Sequence, residues 1–391
     1  MTYLCRVLVY LFVINYGSLL SASTDSGIKT ESHVLKSKLG VEYSLTVILP
    51  PHYDPNSSAK YPVFYQLDGK NYADIYSRLL EALGNTDDIP RMIYIGIDTQ
   101  DRFKYFTPHE KDSKSFHEES GVQIFIAGLK NEIIPFVESK YHCESYRILS
   151  GHSLGGLAVY ETFLTVPMLF NAYFAFDSSL WFWDKHQTDV ELSNLNSINK
   201  SIFFYANYGG KSVSSLDMYE GNMKYNKLIR NSIPKIAKIS ESVDEMGSHM
   251  SIPYSGLIHG LKELFFGFKL SENEIKSFQS PIDYERYLKD LSQRFGIKID
   301  VKEMEVLYIA ENSLHGKNPL KALAFAKYGK TKFPKNPDFL YLMGDAYKQS
   351  GNVDLGKEEI ESACHMTAEL NPSSHECRDP MKNEGSLEYD P

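Results

Sequence analysis

A serine in a glycine-rich turn is the residue whose surroundings most strongly indicate catalysis. Ser153 lies in Gly151-His152-Ser153-Leu154-Gly155, which matches the pattern G-x-S-x-G between a predicted strand and a predicted helix. A nucleophilic serine needs a sharp strand-to-helix turn, and glycine on either side leaves room for it. The first turn of the following helix also favours a developing negative charge. We therefore predict that Ser153 is a nucleophile.

A serine hydroxyl is a weak nucleophile at neutral pH and needs a base within hydrogen-bond reach. In chains with this serine turn, the acid and then the histidine follow the serine, and the histidine comes after the last strand. Of the twelve histidines, only His249 and His259 lie in that part of the chain. His249 is the predicted base because it lies in a turn, whereas His259 falls within the next helix. His152 is interpreted as a packing residue or a pocket wall.

The acid is expected after the strand predicted at 202–206, in the segment 208–221. This segment contains Asp217 and Glu220. Asp217 is the predicted acid, although a position just before a helix also suits an N-terminal cap. Glu220 is the alternative, and a Ser–His dyad without an orienting carboxylate is a third possibility, since the carboxylate supplies only part of the effect of a triad.

Two backbone N–H groups should form an oxyanion hole for the tetrahedral intermediate. One should be that of Leu154, directly after the nucleophile. The second is predicted to be that of Asp68 or Gly69, at the end of an early strand. An ordinary strand-ending Asp-Gly turn is the alternative interpretation of the second position.

The elements that must position these residues are short apolar runs alternating with helical patterns. This alternation predicts an α/β fold, a mostly parallel sheet with helices on both faces. Strands are predicted at 41–49, 61–67, 92–97, 147–149, 172–176, 202–206 and 236–243, and helices at 121–138, 157–166, 218–229 and 254–266.

These motifs together resemble the putative-esterase family of α/β-hydrolases, which contains siderophore esterases and relatives of feruloyl esterases and S-formylglutathione hydrolase. The resemblance runs from about residue 33 to 268. The residues that carry it are Leu67-Asp68-Gly69, Gly151 to Gly156, Phe176 to Trp183, and His249 to Pro253. It implies the α/β-hydrolase fold over residues 33–270 and a serine carboxylic-ester hydrolase that acts on a small-molecule ester without metal or organic cofactor.

The sequence departs from the family pattern at two places. Arg102 and Thr107-Pro108 of an Arg-x-x-Asp-x-Thr-Pro stretch are present, but Tyr105 replaces the Asp. Gly209-Gly210-Lys211 stands where relatives often have Gly-Glu, which leaves the identity of the acid open. Trp181 and Trp183 are predicted to wall the cleft, with buried packing as the alternative.

Three functions are compatible with these residues. The first is a serine esterase for small or medium esters. The second is a siderophore trilactone esterase, which would need cationic residues around the cleft, and no such cluster is visible in the sequence. The third is an inert hydrolase-fold scaffold that binds a protein partner through its C-terminal part.

The C-terminal part, residues 281–371, is predicted to be entirely helical. A weak internal repeat of about 34 residues resembles tetratricopeptide units. Two units cannot bury a full repeat core, so we expect them to pack on the hydrolase domain or on another chain, and they are a candidate site for a protein partner. Residues 376–391 are polar and are predicted to be a disordered tail.

The N-terminal residues 1–23 have the pattern of a signal peptide, with an apolar stretch from Val7 to Leu20 followed by small residues. We expect a secreted or periplasmic protein. An uncleaved membrane anchor is the alternative, although the stretch is shorter than the ~20 residues that span a bilayer. No later segment has the length and apolarity for a membrane span.

Net charge and cysteine content bear on three further properties: nucleic-acid binding, disulfide bonds and metal sites. The net charge of −9, with basic residues dispersed among acids, argues against nucleic-acid binding. Of the four cysteines, Cys5 lies in the signal peptide, and Cys364 and Cys377 are the one pair predicted to form a disulfide. Two unlinked thiols are the alternative. Neither the cysteines nor the histidines have the spacing of a metal site.

Overall fold

One sheet forms the centre of the N-terminal part of the chain. The computed structural model describes residues 29–108, 120–186 and 192–370. The predicted signal peptide and the predicted tail 376–391 lie outside these residues. The eight strands are β1 (Thr30–Lys36), β2 (Glu42–Ile48), β3 (Tyr61–Leu67), β4 (Ile93–Thr99), β5 (Cys143–His152), β6 (Ala172–Phe176), β7 (Ile202–Gly209) and β8 (Ala237–Asp244).

The strands have the order β1-β2-β4-β3-β5-β6-β7-β8. β2 pairs antiparallel with both of its neighbours, and all pairings from β4 to β8 are parallel. The carboxyl ends of β3 to β8 therefore meet at one edge of the sheet, where loops from six strands can share a site.

Burial on both faces explains why the central strands could be predicted from apolar runs. β6 (Ala172–Phe176) is completely buried, and β3 (Tyr61–Leu67) is buried at every position after the first. Both have the predicted bounds. β1 was not predicted, because its polar sequence alternates between exposed and half-buried side chains at the edge of the sheet.

Helices cover both faces of this sheet, which confirms the predicted fold class. One hydrophobic core contains residues of the helix that follows Ser153, and a second contains residues of the first and last helices of this part. The helices are α1 (Ala73–Asn85), α2 (Arg102–Phe106), α3 (Gly121–Gly128), α4 (Ile134–Lys140), α5 (Leu154–Thr165), α6 (Trp181–His186), α7 (Leu216–Ser232) and α8 (Ile252–Leu264). A π-helical turn, Leu129–Ile133, joins α3 to α4.

The C-terminal part is helical, as predicted, and has its own core. Its helices are α9 (Glu272–Ser277), α10 (Pro281–Phe295), α11 (Glu303–His315), α12 (Pro319–Lys332), α13 (Asp338–Gln349) and α14 (Val353–Leu370). Consecutive helices from α11 to α14 pack against each other. The assignment of these helices to tetratricopeptide units stays a prediction.

Helix α10 connects the two parts. Leu291 and Phe295 on this helix pack with Phe265 and Phe268 in the core of the hydrolase part, whereas Tyr284 and Leu288 belong to the C-terminal core. The C-terminal part thus contacts the hydrolase part through α10, and the expectation that the repeat units themselves pack on the hydrolase domain or on another chain stays a prediction.

Membrane and cysteine predictions can be compared with the described residues only. Within them, none of the helices combines the length and apolarity needed to cross a bilayer. Cys143 is a free thiol, and burial raises its pKa to about 12, so it is a poor nucleophile. Cys364 is disulfide-bonded. Cys377 lies outside the described residues, so its pairing with Cys364 stays a prediction.

Candidate active site

Ser153 occupies a strained turn at the carboxyl end of β5. Its backbone angles are φ 59° and ψ −117°, which a residue with a side chain rarely adopts. The turn is held from the neighbouring strand. Ser153 N–H donates to the carbonyl of Phe176 at 3.0 Å, and Ser179 N–H donates to the carbonyl of Ser153 at 3.1 Å. The local sequence pattern and the end of β6 therefore stabilise this conformation together.

Close backbone approach explains the glycines on both sides of the serine. A Cβ added to Gly151 would lie 2.3 Å from the carbonyl oxygen of Gly155, and one added to Gly156 would lie 2.3 Å from Ser178 Oγ. Larger residues at these positions would push α5 away from β5 and β6. The glycines thus place the first turn of α5 directly behind Ser153.

The carboxylate that bonds the histidine comes from the loop after β6. Asp177 Oδ2 lies 2.6 Å from His249 Nδ1, and Asp177 is only 2% exposed. Its other oxygen, Oδ1, accepts a hydrogen bond from Gly209 N–H at 3.1 Å, and Asp177 N–H donates to the carbonyl of Asn207 at 2.7 Å. Asp177 is therefore fixed by the end of β7 while it faces His249.

The structure corrects the prediction that Asp217 is the acid. Asp217 lies exposed in the first turn of α7, where Ser215 is the N-terminal cap, and Glu220 is also exposed. The prediction placed the acid after β7 and not after β6. Because β6 and β7 are adjacent, with Phe176 opposite Asn207, a carboxylate at the end of either strand reaches the same point.

A signal for Asp177 was present in the sequence. The three polar residues Asp177-Ser178-Ser179 directly follow a wholly apolar strand, and all three are buried. Buried polar residues at the end of a parallel strand usually have bonding partners. The segment 176–183 also carries part of the family resemblance.

The second loop predicted for the oxyanion hole lies against the nucleophile helix. A Cβ added to Gly155 would lie 3.3 Å from Asp68 Oδ2 and 3.4 Å from Leu67 Cβ, so the end of β3 contacts the first turn of α5. Leu154 begins α5, and its N–H belongs to the turn whose donors have no partner within the helix. The structure thus places the end of β3, which is followed by Asp68 and Gly69, against the first turn of α5, which begins with Leu154; their role as oxyanion donors stays a prediction.

An ion pair fixes the shape of this loop. Arg102 donates from Nε and Nη2 to the two carboxylate oxygens of Asp68, both at 2.8 Å. Asp68 is in the left-handed region, with φ 55°, and Gly69 lies so close to Gly96 that an added Cβ would be 2.2 Å from its Cα. Arg102, present in the family pattern, therefore acts as a support of the loop in this chain.

The two tryptophans have different environments. Trp183 is 1% exposed and its Nε1 donates to Glu161 Oε1 at 2.5 Å, so its role is packing and the prediction that it walls the cleft is wrong. Trp181 begins α6 and is partly exposed, and its ring lies 5.9 Å from that of Phe182. Only Trp181 remains a candidate for the cleft wall.

The carboxyl of Glu161 on α5 makes stability depend on pH. Burial raises its pKa from 4.5 to about 7, against the opposing effect of the Trp183 hydrogen bond. Between these two pKa values the folded protein binds more protons than the unfolded chain. The contribution of Glu161 to the free energy of unfolding therefore falls as the pH rises from about 4.5 to about 7. We expect Glu161→Gln to stabilise the protein relative to wild type more at pH 8 than at pH 5, by on the order of 1–2 kcal/mol. Urea unfolding at both pH values measures this difference, and equal differences would contradict it.

The strand order, the serine turn at the end of β5 and the packing of helices on both faces define the α/β-hydrolase fold. The family model described as "Putative esterase" matches residues 36–202, in agreement with the resemblance that the motifs predicted.

Two proteins of Bacillus subtilis (strain 168) are similar in sequence. The uncharacterized protein YbbA is 26% identical over 208 residues, which cover 52% of this chain and 78% of YbbA. The ferri-bacillibactin esterase BesA is 30% identical over 150 residues, which cover 34% of this chain and 52% of BesA. The similarity thus spans about half the length of BesA.

Two solved structures are similar in fold. An IroE-like serine hydrolase from Shewanella oneidensis superposes with a TM-score of 0.64 and 24% identity, covering 78% of this chain and 99% of that one. An uncharacterised protein from Capnocytophaga ochracea DSM 7271 has a TM-score of 0.64 and 15% identity, covering 86% of this chain and 93% of that one. At these identities the comparison shows the fold alone.

Proposed function

We propose that the protein is a serine carboxylic-ester hydrolase that acts on a small or medium ester through a Ser153–His249–Asp177 triad. The observation that carries this proposal is the 2.6 Å contact between His249 Nδ1 and Asp177 Oδ2, made at the sheet edge that also holds Ser153. The match of residues 36–202 to the family model described as "Putative esterase" supports the reaction class.

The proposed reaction is acyl transfer to water in two steps. His249 takes the proton of Ser153 Oγ as that oxygen attacks the ester carbonyl, and Asp177 stabilises the imidazolium that forms. The N–H of Leu154 and that of Asp68 or Gly69 donate to the tetrahedral oxyanion. His249 then protonates the leaving alcohol as the C–O bond breaks. Water, deprotonated by His249, attacks the acyl-enzyme and releases the acid and Ser153.

Exposed apolar side chains in the loops at this sheet edge favour an apolar ester. Met246 and Met250 flank His249 on either side in sequence and are 93% and 66% exposed, and Phe103, in the short helix α2 that follows β4, is 60% exposed. Large exposed apolar side chains near a site suit an apolar ligand, and methionine adapts to varied shapes. Arg102, in contrast, is paired with Asp68 and offers no free charge to an anionic chelate.

The first test is labelling with a fluorophosphonate, followed by peptide mapping and by assays with p-nitrophenyl acetate, butyrate and octanoate. We expect one label, on Ser153, and turnover that increases from acetate to octanoate. Absence of both labelling and turnover would overturn the proposal and favour the scaffold function. A labelled protein that cleaves only a ferric trilactone would retain the serine mechanism but replace the substrate class, in line with the name of BesA.

We also propose that the protein is exported, as secreted or periplasmic, on the basis of the sequence pattern in residues 1–23. N-terminal sequencing of the protein recovered outside the cytosol tests this, and a start at Met1 would contradict cleavage. A protein partner of the C-terminal helices remains a separate proposal that rests on the resemblance to helical repeats.

A further inference from the structure

A second imidazole lies directly behind His249. His152, the residue before the nucleophile, is 5% exposed, and its ring centroid lies 4.3 Å from that of His249 at an interplanar angle of 43°. His152 Nδ1 lies 2.8 Å from the hydroxyl of Tyr72. His249 itself is 44% exposed on its side chain, so contacts on its buried side are needed to hold its ring in one orientation.

Helix α1 supports both this imidazole and the start of α8. Tyr72, the residue before α1, carries the hydroxyl that bonds His152, and its ring lies 6.1 Å from that of Tyr254. Tyr76 donates its hydroxyl to the carbonyl of Pro253 at 2.9 Å. Pro253 follows His249 by four residues. The start of α1 therefore supports His249 in two ways: Tyr72 holds the imidazole behind its ring, and Tyr76 holds the backbone that follows it.

Burial keeps His152 neutral. It lowers the pKa of His152 to about 4, with the charge of His249 as the next contribution. Burial also raises the pKa of Tyr72, so its hydroxyl stays protonated at neutral pH. A neutral ring can contact the imidazolium of His249 in the transition state without repelling it, whereas a second cation at this distance could not.

We infer that His152 and Tyr72 form a positioning pair that holds the imidazole of His249 between Asp177 and Ser153. The inference rests on the proposed function and adds to it two residues that contact neither substrate nor the reacting atoms. The pair acts by restricting the ring of His249, and small misplacements of a general base lower the rate of proton transfer strongly.

The test compares His152→Phe, His152→Asn and Tyr72→Phe in ester hydrolysis. We expect His152→Phe to lower kcat about 10- to 100-fold with KM unchanged within about two-fold, because ground-state binding does not need the base in place. Tyr72→Phe should lower kcat about three- to ten-fold. His152→Asn keeps an oxygen close to the position of Nδ1 and should restore part of the loss.

A double variant separates positioning from general stability. If the two residues act as a pair, Tyr72→Phe should have no further effect on kcat in the His152→Phe background. The matched control is His33→Phe, since His33 also bonds a tyrosine hydroxyl, that of Tyr141 at 2.8 Å, but on the edge strand β1. This variant should keep the wild-type kcat even if it unfolds at a lower temperature.

The outcomes distinguish this inference from the proposed function. Wild-type turnover that is lost in Ser153→Ala supports the function, and wild-type kcat in all three variants at the pair would then overturn the positioning role. Additive losses in the double variant would also overturn it. Ring-nitrogen NMR of His249 gives a readout independent of turnover: we expect the proton on Nδ1 in wild type and a mixture of tautomers in His152→Phe, and an unchanged spectrum would contradict the inference.

Discussion

Asp177→Asn should lower kcat about 10⁴-fold while the fold is retained. The structure gives the reason. Asp177 Oδ1 accepts from Gly209 N–H, so an asparagine would keep its carbonyl oxygen there and turn its NH₂ group toward His249. The NH₂ group would donate to Nδ1 and place the imidazole proton on Nε2. In that tautomer His249 cannot accept the proton of Ser153.

The matched control is Asp217→Asn, which makes the same chemical change at the carboxylate first predicted as the acid. Asp217 is exposed in the first turn of α7, so we expect the kcat of the Asp217→Asn variant to lie within about two-fold of the wild-type value. Steady-state hydrolysis of p-nitrophenyl butyrate by both variants, with circular dichroism to verify folding, decides the matter. A large loss in Asp217→Asn with normal activity in Asp177→Asn would reverse the assignment.

Ser153→Ala should lower kcat by about 10⁵- to 10⁶-fold and abolish fluorophosphonate labelling. The variant lacks the oxygen that forms the acyl-enzyme, so what remains is attack by water aided by the oxyanion donors and by binding of the ester. Stability should change little, because the backbone strain at φ 59° exists with either residue. Assays over hours at high enzyme concentration are needed to measure the residual rate.

A neighbouring serine is the appropriate control for this variant. Ser179 Oγ lies 3.2 Å from Ser153 Oγ, close enough for labelling or residual activity to be attributed to the wrong residue. Ser179→Ala should retain most of the wild-type rate. If Ser179→Ala lost activity and Ser153→Ala kept it, the nucleophile would be Ser179 and the role of the strained turn would need another explanation.

The sequence determined the features that depend on local pattern. Continuous apolar runs predicted buried parallel strands, and two of them, 61–67 and 172–176, have the predicted bounds. Glycines spaced around Ser153 predicted a tight turn, and the close contacts of Gly151 and Gly156 show why nothing larger fits there. His249 was predicted as the base because it lies in the loop after the last strand, and the order of the strands along the chain is enough to locate that loop.

Only the tertiary structure decided which side chains meet. The sequence cannot show that the ends of β6 and β7 lie side by side, so the position of Asp177 after β6 did not by itself indicate that its carboxylate contacts His249. The pairs Asp68–Arg102 and Tyr72–His152 join residues 34 and 80 positions apart, and no local pattern encodes such contacts. Local chemistry thus determined the strands and the turn at Ser153, whereas strand order and helix packing determined which carboxylate contacts His249 and which residues lie behind its ring.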